Sequence, residues 1–208
     1  MRVSAFALAS LVLTSTLVAQ SSPTRATRVD GTVVLLYPDG TWKPDTVQRG
    51  AASHAVANYS TPGAASASLP ILNGATLSYN PSKWTPVASG KPGRLQLNHA
   101  SGDGYAMVIA ERLEIPIHSF KNIVLQNARG AAPDAEVKVD EERQVNGTPV
   151  TCMEITGTTQ GIPFHYFGYY YSGKGGSIQV ITYTGESLFE QYRTDFQELL
   201  NGFVAPGG

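Results

Sequence analysis

The stretch that most constrains the fold runs from Gly161 to Thr184 and reads GIPFHYFGYYYSGKGGSIQVITYT. Two runs rich in β-branched and aromatic residues, 162–171 and 177–184, flank a glycine-rich turn, so we predict a β-hairpin. The first run carries aromatic side chains on both faces, whereas a half-buried strand alternates apolar with polar residues. This pattern predicts a strand at the centre of a sheet that is covered on both faces.

The other predicted elements indicate an α+β fold, in which antiparallel hairpins are combined with helices. An Asn-Gly turn at 146–147 joins two of the strands, and the closing helix has one apolar stripe. Helices packed on both faces of the antiparallel sheet, an α/β/α sandwich, would explain the doubly aromatic strand. The predicted strands cover 75–79, 94–99, 105–113, 135–145 and 148–156, and the predicted helices cover 116–129, ending before Gly130, and 186–203.

The N-terminus predicts export from the cytoplasm. Met1-Arg2 is followed by an apolar run over 5–18 and by the small residue Ala19, which is the pattern of a cleaved signal peptide, residues 1–19. The run is shorter than the roughly 20 residues of a spanning helix, and no later segment is long and apolar enough to cross a membrane. We therefore expect a periplasmic or secreted protein with no membrane span.

Residues 27–43 predict a small β-meander, because Asp30-Gly31 and Pro38-Asp39-Gly40 are turn signals around a β-type run. The segment resembles one that recurs in bacterial exported proteins, of the form DG-x-VLLY-x-DGTW. Residues 45–68 are rich in Ala, Ser and Gly and predict a flexible linker, so the main domain is expected over 69–205.

Composition argues against a role in nucleic-acid binding. The chain has 15 Lys and Arg against 16 Asp and Glu, a net charge of −1, and no basic run. The single cysteine, Cys152, cannot form an internal disulfide, and its strand-like setting favours a small buried core residue over a nucleophile.

The segment 79–86, Tyr-Asn-Pro-Ser-Lys-Trp-Thr-Pro, resembles the opening of PsbP-like domains, in which a Pro-Ser-x-Trp motif follows the first strand. The Asn-Gly hairpin, the aromatic strand and the closing helix follow in the order expected for that family over 69–203. The same sandwich is shared by Mog-type Ran-binding proteins and by uncharacterised bacterial exported proteins. The resemblance implies an accessory or binding role without a common active site.

No catalytic or metal-binding motif stands out. His99 and Asp103 lie across a turn and could join a metal site, but no Cys/His cluster or His-Glu-x-x-His spacing supports one, so we expect no metal and no cofactor. No Gly-x-Ser-x-Gly motif is present. The tyrosines at 166 and 169–171 are explained by a binding groove or, more simply, by core packing.

Two functions therefore compete. The first is an exported, non-catalytic binding or accessory protein with a protein partner, contacted through Tyr37 and Trp42, because exposed aromatic residues are favoured interface anchors. These two residues could instead pack on the main domain. The second is a small-ligand-binding protein or hydrolase-like enzyme whose site assembles from His99, Asp103, Glu111 or His165.

Overall fold

A computed structural model describes residues 24–27, 33–44, 56–88 and 90–207, which fall into two compact units on either side of residue 51. The predicted signal peptide, residues 1–19, lies outside the described residues.

The first unit consists of three short antiparallel strands: β1 (Thr24–Thr27), β2 (Val33–Leu36) and β3 (Trp42–Pro44). β2 is the middle strand. The turn between β2 and β3 is held by the Asp39 carboxylate, which accepts hydrogen bonds from the Thr41 amide at 2.9 Å and the Thr41 hydroxyl at 2.7 Å. Gly40 has a φ of +81°, a conformation that glycine adopts without strain.

The second unit is α+β, with two α-helices and a large sheet among the described residues. The sheet order is β4-β10-β11-β12-β13-β9-β8-β7, with every neighbouring pair antiparallel except β4 and β10. A smaller sheet has the order β14-β6-β5. The elements are β4 (Ala57–Tyr59), β5 (Ala67–Pro70), β6 (Thr76–Tyr79), β7 (Trp84–Val87), β8 (Arg94–His99), β9 (Gly102–Glu111), α1 (Ile117–Ala131), β10 (Glu136–Val145), β11 (Thr148–Thr159), β12 (Ile162–Gly173), β13 (Gly176–Gly185), α2 (Phe189–Asn201) and β14 (Phe203–Val204).

The predicted aromatic hairpin is confirmed as β12 and β13, and these two strands lie in the middle of the sheet. Successive residues of β12 point to opposite faces and contribute to two different hydrophobic clusters. Phe167 and Tyr169 pack in one cluster with the buried residues of α2, whereas Phe164 and Tyr170 pack in the other with those of α1. The doubly aromatic strand therefore supplies both parts of the core.

Each helix buries one stripe of residues. In α1 the buried residues are Phe120, Val124 and Ala128, which are spaced by one helical turn. Gly130 does not stop this helix, as the sequence suggested; it lies in the last turn, and the amide of Ala132 bonds the carbonyl of Ala128 instead. A 3₁₀ turn over Glu186–Leu188 precedes α2, so the α-helix begins later than residue 186.

Part of the predicted linker is structured. β4 lies within the range 45–68 and pairs in parallel with β10, with Tyr59 opposite Val145. The side chain of Asn146 accepts a hydrogen bond from the Thr61 amide at 2.8 Å, which fixes the segment after β4. This short strand satisfies backbone groups that β10 would otherwise present at the edge of the sheet. Composition alone missed it, because Ala57-Asn58-Tyr59 carries no strand pattern.

Candidate functional site

Trp42 begins β3 and lies directly opposite Leu36 of β2. The exposed fractions are 50% for Trp42 and 42% for Leu36, so both are large apolar side chains at the surface of the first unit. Cross-strand neighbours on one face of an antiparallel pair lie about 4.5–5.5 Å apart at Cβ, so the two side chains form one small apolar patch.

Tyr37, the other predicted contact residue, lies on a different face of this hairpin. The Lys43 ammonium group stands 5.5 Å from the centre of the Tyr37 ring. Since Trp42 and Lys43 are consecutive strand residues, their side chains point to opposite faces. The structure therefore pairs Tyr37 with Lys43 and Trp42 with Leu36, and the two predicted residues do not share a patch.

His99, at the end of β8, is bound by groups that the sequence analysis did not connect with it. Its Nε2 atom lies 3.1 Å from Asp195 Oδ2 on α2, and its Nδ1 atom lies 2.7 Å from Ser101 Oγ. Its ring is held edge-on between Trp84, at 4.9 Å, and Tyr192, at 5.1 Å. Asp103, which the sequence analysis considered together with His99 as a possible metal ligand, is not among these contacts.

This arrangement brings a carboxylate, an imidazole and a serine together, but the Ser101 hydroxyl donates to the Tyr192 hydroxyl at 3.2 Å. The Asp195 carboxylate only accepts hydrogen bonds, so Nε2 of His99 donates to it, and Nδ1 accepts from the Ser101 backbone amide. However, Asp195 also pairs with Lys83 at 2.7 Å. The adjoining cavity, lined by Lys83 and Trp84, has a volume of about 10 Å³, which is just enough for one water molecule. We interpret the group as a tether between α2 and the sheet.

His165, on β12, belongs to a second polar cluster. It is 5% exposed, and its two ring nitrogens face Glu154, at 3.0 Å, and Glu186, at 2.9 Å. Its ring stacks on Phe189 with 3.4 Å between centroids, and the guanidinium of Arg193 covers the same phenyl ring at 4.3 Å. Phe189 is therefore held by both His165 and Arg193.

Glu154 is the buried charge of this cluster. Burial raises the pKa of Glu154, but hydrogen bonds from His165 and Arg193 outweigh it and hold the pKa below its usual value. Arg193 Nη1 donates to Glu154 at 2.8 Å and Nη2 donates to Glu190 at 2.9 Å. A carboxylate this well satisfied is a structural anchor between α2 and β11.

A third cluster surrounds Arg143 on β10. Its guanidinium donates to the Tyr169 hydroxyl at 3.1 Å and to the Gln197 side chain at 2.6 Å. The Tyr169 hydroxyl in turn donates to Asn201 at 2.9 Å. Burial raises the pKa of Tyr169 to about 12. Cys152 lies nearby and is fully buried, as predicted, and burial raises the pKa of its thiol to about 12, which makes it inert.

The four candidate residues of the enzyme hypothesis are not brought together. None of the hydrogen bonds within the described part of the chain joins two of them. Glu111 pairs with Arg94 at 3.1 Å at the end of β9, and Asp103 contributes its backbone carbonyl to a bond from Thr184. Among the described residues, no three His, Cys, Asp or Glu side chains are grouped so that they could hold a metal ion.

The polar residues that the sequence analysis missed lie mainly on α2. Arg193, Gln197 and Asn201 follow each other at intervals of four and so form one row beside the apolar stripe. The burial of Glu154 could have been recognised from the sequence, because Glu154 follows Val150 and Cys152 at every second position and so lies on the same inward face of β11.

Comparison with known proteins places the fold. No family model matches the chain, and no curated protein matches it in sequence. Its structure is similar to that of cyanobacterial PsbP (CyanoP) from Synechocystis, with 15% identity and a TM-score of 0.51 over 64% of this chain and 87% of that chain. At this identity the likeness shows the fold alone, which is PsbP-like.

Two further solved structures have lower TM-scores. A protein of unknown function from Pseudomonas aeruginosa has 10% identity and a TM-score of 0.45 over 67% of this chain and 96% of that chain. LpqN of Mycobacterium tuberculosis, which is involved in cell envelope biogenesis, has 10% identity and a TM-score of 0.37 over 66% and 90%. In the part of this chain that the structure describes, no helix combines the length and apolar character needed to cross a membrane.

Proposed function

We propose that this chain is an exported, non-catalytic binding or accessory protein with a protein partner. The observation that carries the proposal is that His99 and His165, the best candidates for chemistry, both contact α2: His99 lies 3.1 Å from Asp195, and the ring of His165 stacks on Phe189. In these contacts both histidines serve to hold the fold, which favours a binding role over a catalytic one.

The contact residues of the proposal are Trp42 and Tyr37. Trp42 is half exposed beside Leu36, and an exposed Trp next to an aliphatic side chain has the composition of an interface anchor. Tyr37 is half-buried on the other face of the hairpin, so the partner contacts Trp42 first. The experiment is a pull-down from the exported fraction with the wild-type chain, Trp42→Ala and Tyr37→Ala.

A matched control uses Ile162→Ala, which removes an apolar side chain that is 64% exposed at the first residue of β12. We expect Trp42→Ala to lose the partner, Tyr37→Ala to weaken it less, and Ile162→Ala to retain it. Equal recovery of every protein by all four forms would reject the hairpin as the contact surface.

Export is part of the same proposal and is supported by the apolar run over 5–18 followed by Ala19. We expect cleavage after Ala19 and a periplasmic or secreted product. Intact-mass measurement on protein recovered after export is the test, and a mass that retains residues 1–19 would reject it.

We also propose that the two helices cover opposite faces of the large sheet, as in an α/β/α sandwich. The division of adjacent β12 residues Tyr169 and Tyr170 between the clusters of α2 and α1 supports this arrangement. An experimental structure with both helices on one face would contradict it.

The domain boundaries complete the proposal, with a linker after residue 45 and a main domain that folds by itself over 69–205. Because β4 pairs with β10, a chain that begins at residue 56 should retain the stability of the mature protein. A chain that begins at Ser68 lacks β4 and should unfold at lower urea concentration, while still unfolding cooperatively. Loss of cooperativity in both chains would mean that the first unit is needed for folding.

A further inference from the structure

One face of the large sheet carries a groove that lies outside the three polar clusters described above. Met107, which lines the groove, also packs against the hydrophobic cluster of α1. Its floor lies on β8 and β9, where Gln96 stands opposite Met107 and Arg94 stands opposite Ile109. The intervening Val108 points to the other face and packs in the cluster of α2. α1 packs on this side of the sheet over β11 and β12, so the groove lies beside it.

The groove has the size and lining of a small-molecule site. Its volume is about 470 Å³, within the range of about 300–1,000 Å³ that is usual for ligand pockets. Met107 and Ile109 supply an apolar floor, Lys91 and Arg94 supply positive charge, and no acidic residue lines it. An apolar floor beside two cations matches a ligand with an apolar body and one anionic group.

The apolar surface continues along the same face beyond the groove. Tyr105 precedes Met107 by two residues on β9, so the two side chains lie on the same face of the sheet. The ring of Tyr105 stacks on that of Tyr183 with 5.3 Å between centroids. From Ile109 to Tyr105 the strand rises about 13 Å at roughly 3.3 Å per residue. The surface is therefore a strip, with positive charge at one end and tyrosine rings at the other.

We propose that this strip binds a medium-chain fatty-acid carboxylate. The carboxylate lies between Lys91 and Arg94, and the alkyl chain runs over Ile109 and Met107 toward Tyr105. A guanidinium binds a carboxylate through two parallel hydrogen bonds, and a thioether adapts to an alkyl chain. Arg94 also pairs with Glu111, and since both side chains are exposed, at 40% and 58%, a ligand carboxylate competes with this solvent-screened contact for the guanidinium.

The methionines offer a direct test, because the chain has three and they report on different places. Met1 lies in the predicted signal peptide, Met107 lines the groove, and Met153 is 2% exposed in the core. In protein labelled with carbon-13 at the methionine methyls, decanoate below its micelle concentration should shift the Met107 resonance saturably and leave that of Met153 unchanged. Butyrate has the carboxylate but only a short alkyl chain, and decanol has the ten-carbon chain but no carboxylate. Both should bind less tightly than decanoate.

Substitutions at each end of the strip test which end binds the carboxylate and which end binds the alkyl chain. Arg94→Gln and Lys91→Gln should each weaken decanoate binding about three- to fivefold, the value of one exposed ion pair, whereas Lys138→Gln on β10 should have no effect. Tyr105→Ala should weaken the binding of decanoate but not of hexanoate, whose chain is too short to reach the ring. In every variant an unchanged Met153 resonance shows that the core is intact.

Three results would overturn the proposal. They are a Met107 resonance that does not respond to decanoate, equal affinity for decanoate and decanol, and a joint shift of Met107 and Met153, which would mean that decanoate unfolds the protein. Because the proposed fatty-acid site and the proposed protein contact use different residues, these results leave the proposed protein partner unaffected.

Discussion

Tyr169 and Tyr170 are adjacent on β12, and each is 1% exposed, but their hydroxyl groups have opposite surroundings. The Tyr169 hydroxyl receives a hydrogen bond from Arg143, donates to Asn201 and also contacts Gln197. The Tyr170 hydroxyl is the one buried side-chain polar atom in the described residues without a hydrogen-bond partner. We predict that the same change, Tyr to Phe, has opposite effects at the two positions.

The magnitudes follow from these contacts. Tyr169→Phe removes a hydrogen bond from a charged guanidinium and leaves Asn201 with one partner fewer, so the free energy of unfolding should fall by about 2–3 kcal/mol. Tyr170→Phe removes a hydroxyl that is desolvated without compensation, so the free energy of unfolding should be unchanged or rise by about 1 kcal/mol. The phenyl rings and their packing remain in both variants.

The assay is urea denaturation of the mature protein, followed by circular dichroism, with the wild type and both variants under the same conditions. We expect the midpoint of Tyr169→Phe below that of the wild type and the midpoint of Tyr170→Phe at or above it. Equal midpoints for the two variants would refute the reasoning, because they would mean that the Arg143 cluster adds nothing to stability.

The remaining predictions concern single residues of the second unit. Cys152 should resist maleimide in the native protein near pH 8 and react after denaturation, because burial raises the pKa of its thiol. Glu154→Gln should lower the urea midpoint near neutral pH, and the difference from the wild type should narrow as the pH falls below the ordinary glutamate pKa of 4.5 and through the lower pKa of Glu154 in the fold, since a carboxylate with a lowered pKa stabilises the fold only while ionised. Gly176→Ala should cost about 2 kcal/mol or more, because φ is +121° and a Cβ would stand 2.0 Å from the carbonyl oxygen of Glu111; Gly185→Ala, where the nearest such contact is 3.9 Å, is the control and should have little effect.

The local parts of the fold could be predicted because their determinants are adjacent in sequence. Asn146 and Gly147 both have positive φ, at 50° and 78°, as the turn between β10 and β11 requires. Likewise, the apolar spacing of α2 identified its buried residues, such as Phe196. Ser187 and Glu190 have the spacing of a capping box at the start of this helix, but the structure shows no side-chain cap there. Glu190 instead binds Arg193, one turn further along the same helix.

The contacts that decide the candidate site could not be predicted, since they depend on how α2 lies on the sheet. Asp195 meets His99 across 96 positions of the chain, and no local pattern encodes that distance. For the same reason, the closeness of His99 and Asp103 in sequence does not make them partners, and the contacts of His99 are set by packing instead. Sequence did identify Trp42 as an aromatic residue on a small hairpin, but not its neighbour Leu36 across the strand pair.

The central claim, that the chain acts by binding a protein through its N-terminal hairpin, is tested most directly by site-specific photo-crosslinking. A benzophenone amino acid replaces Trp42 in one form and Ile162 in the control, and each form is irradiated in the exported fraction of its own organism. The account predicts a crosslink from position 42 to a distinct protein, absent from position 162 and lost when excess wild-type chain competes. Crosslinks from position 42 only to residues of the same chain would contradict it, because the hairpin would then serve to complete the fold.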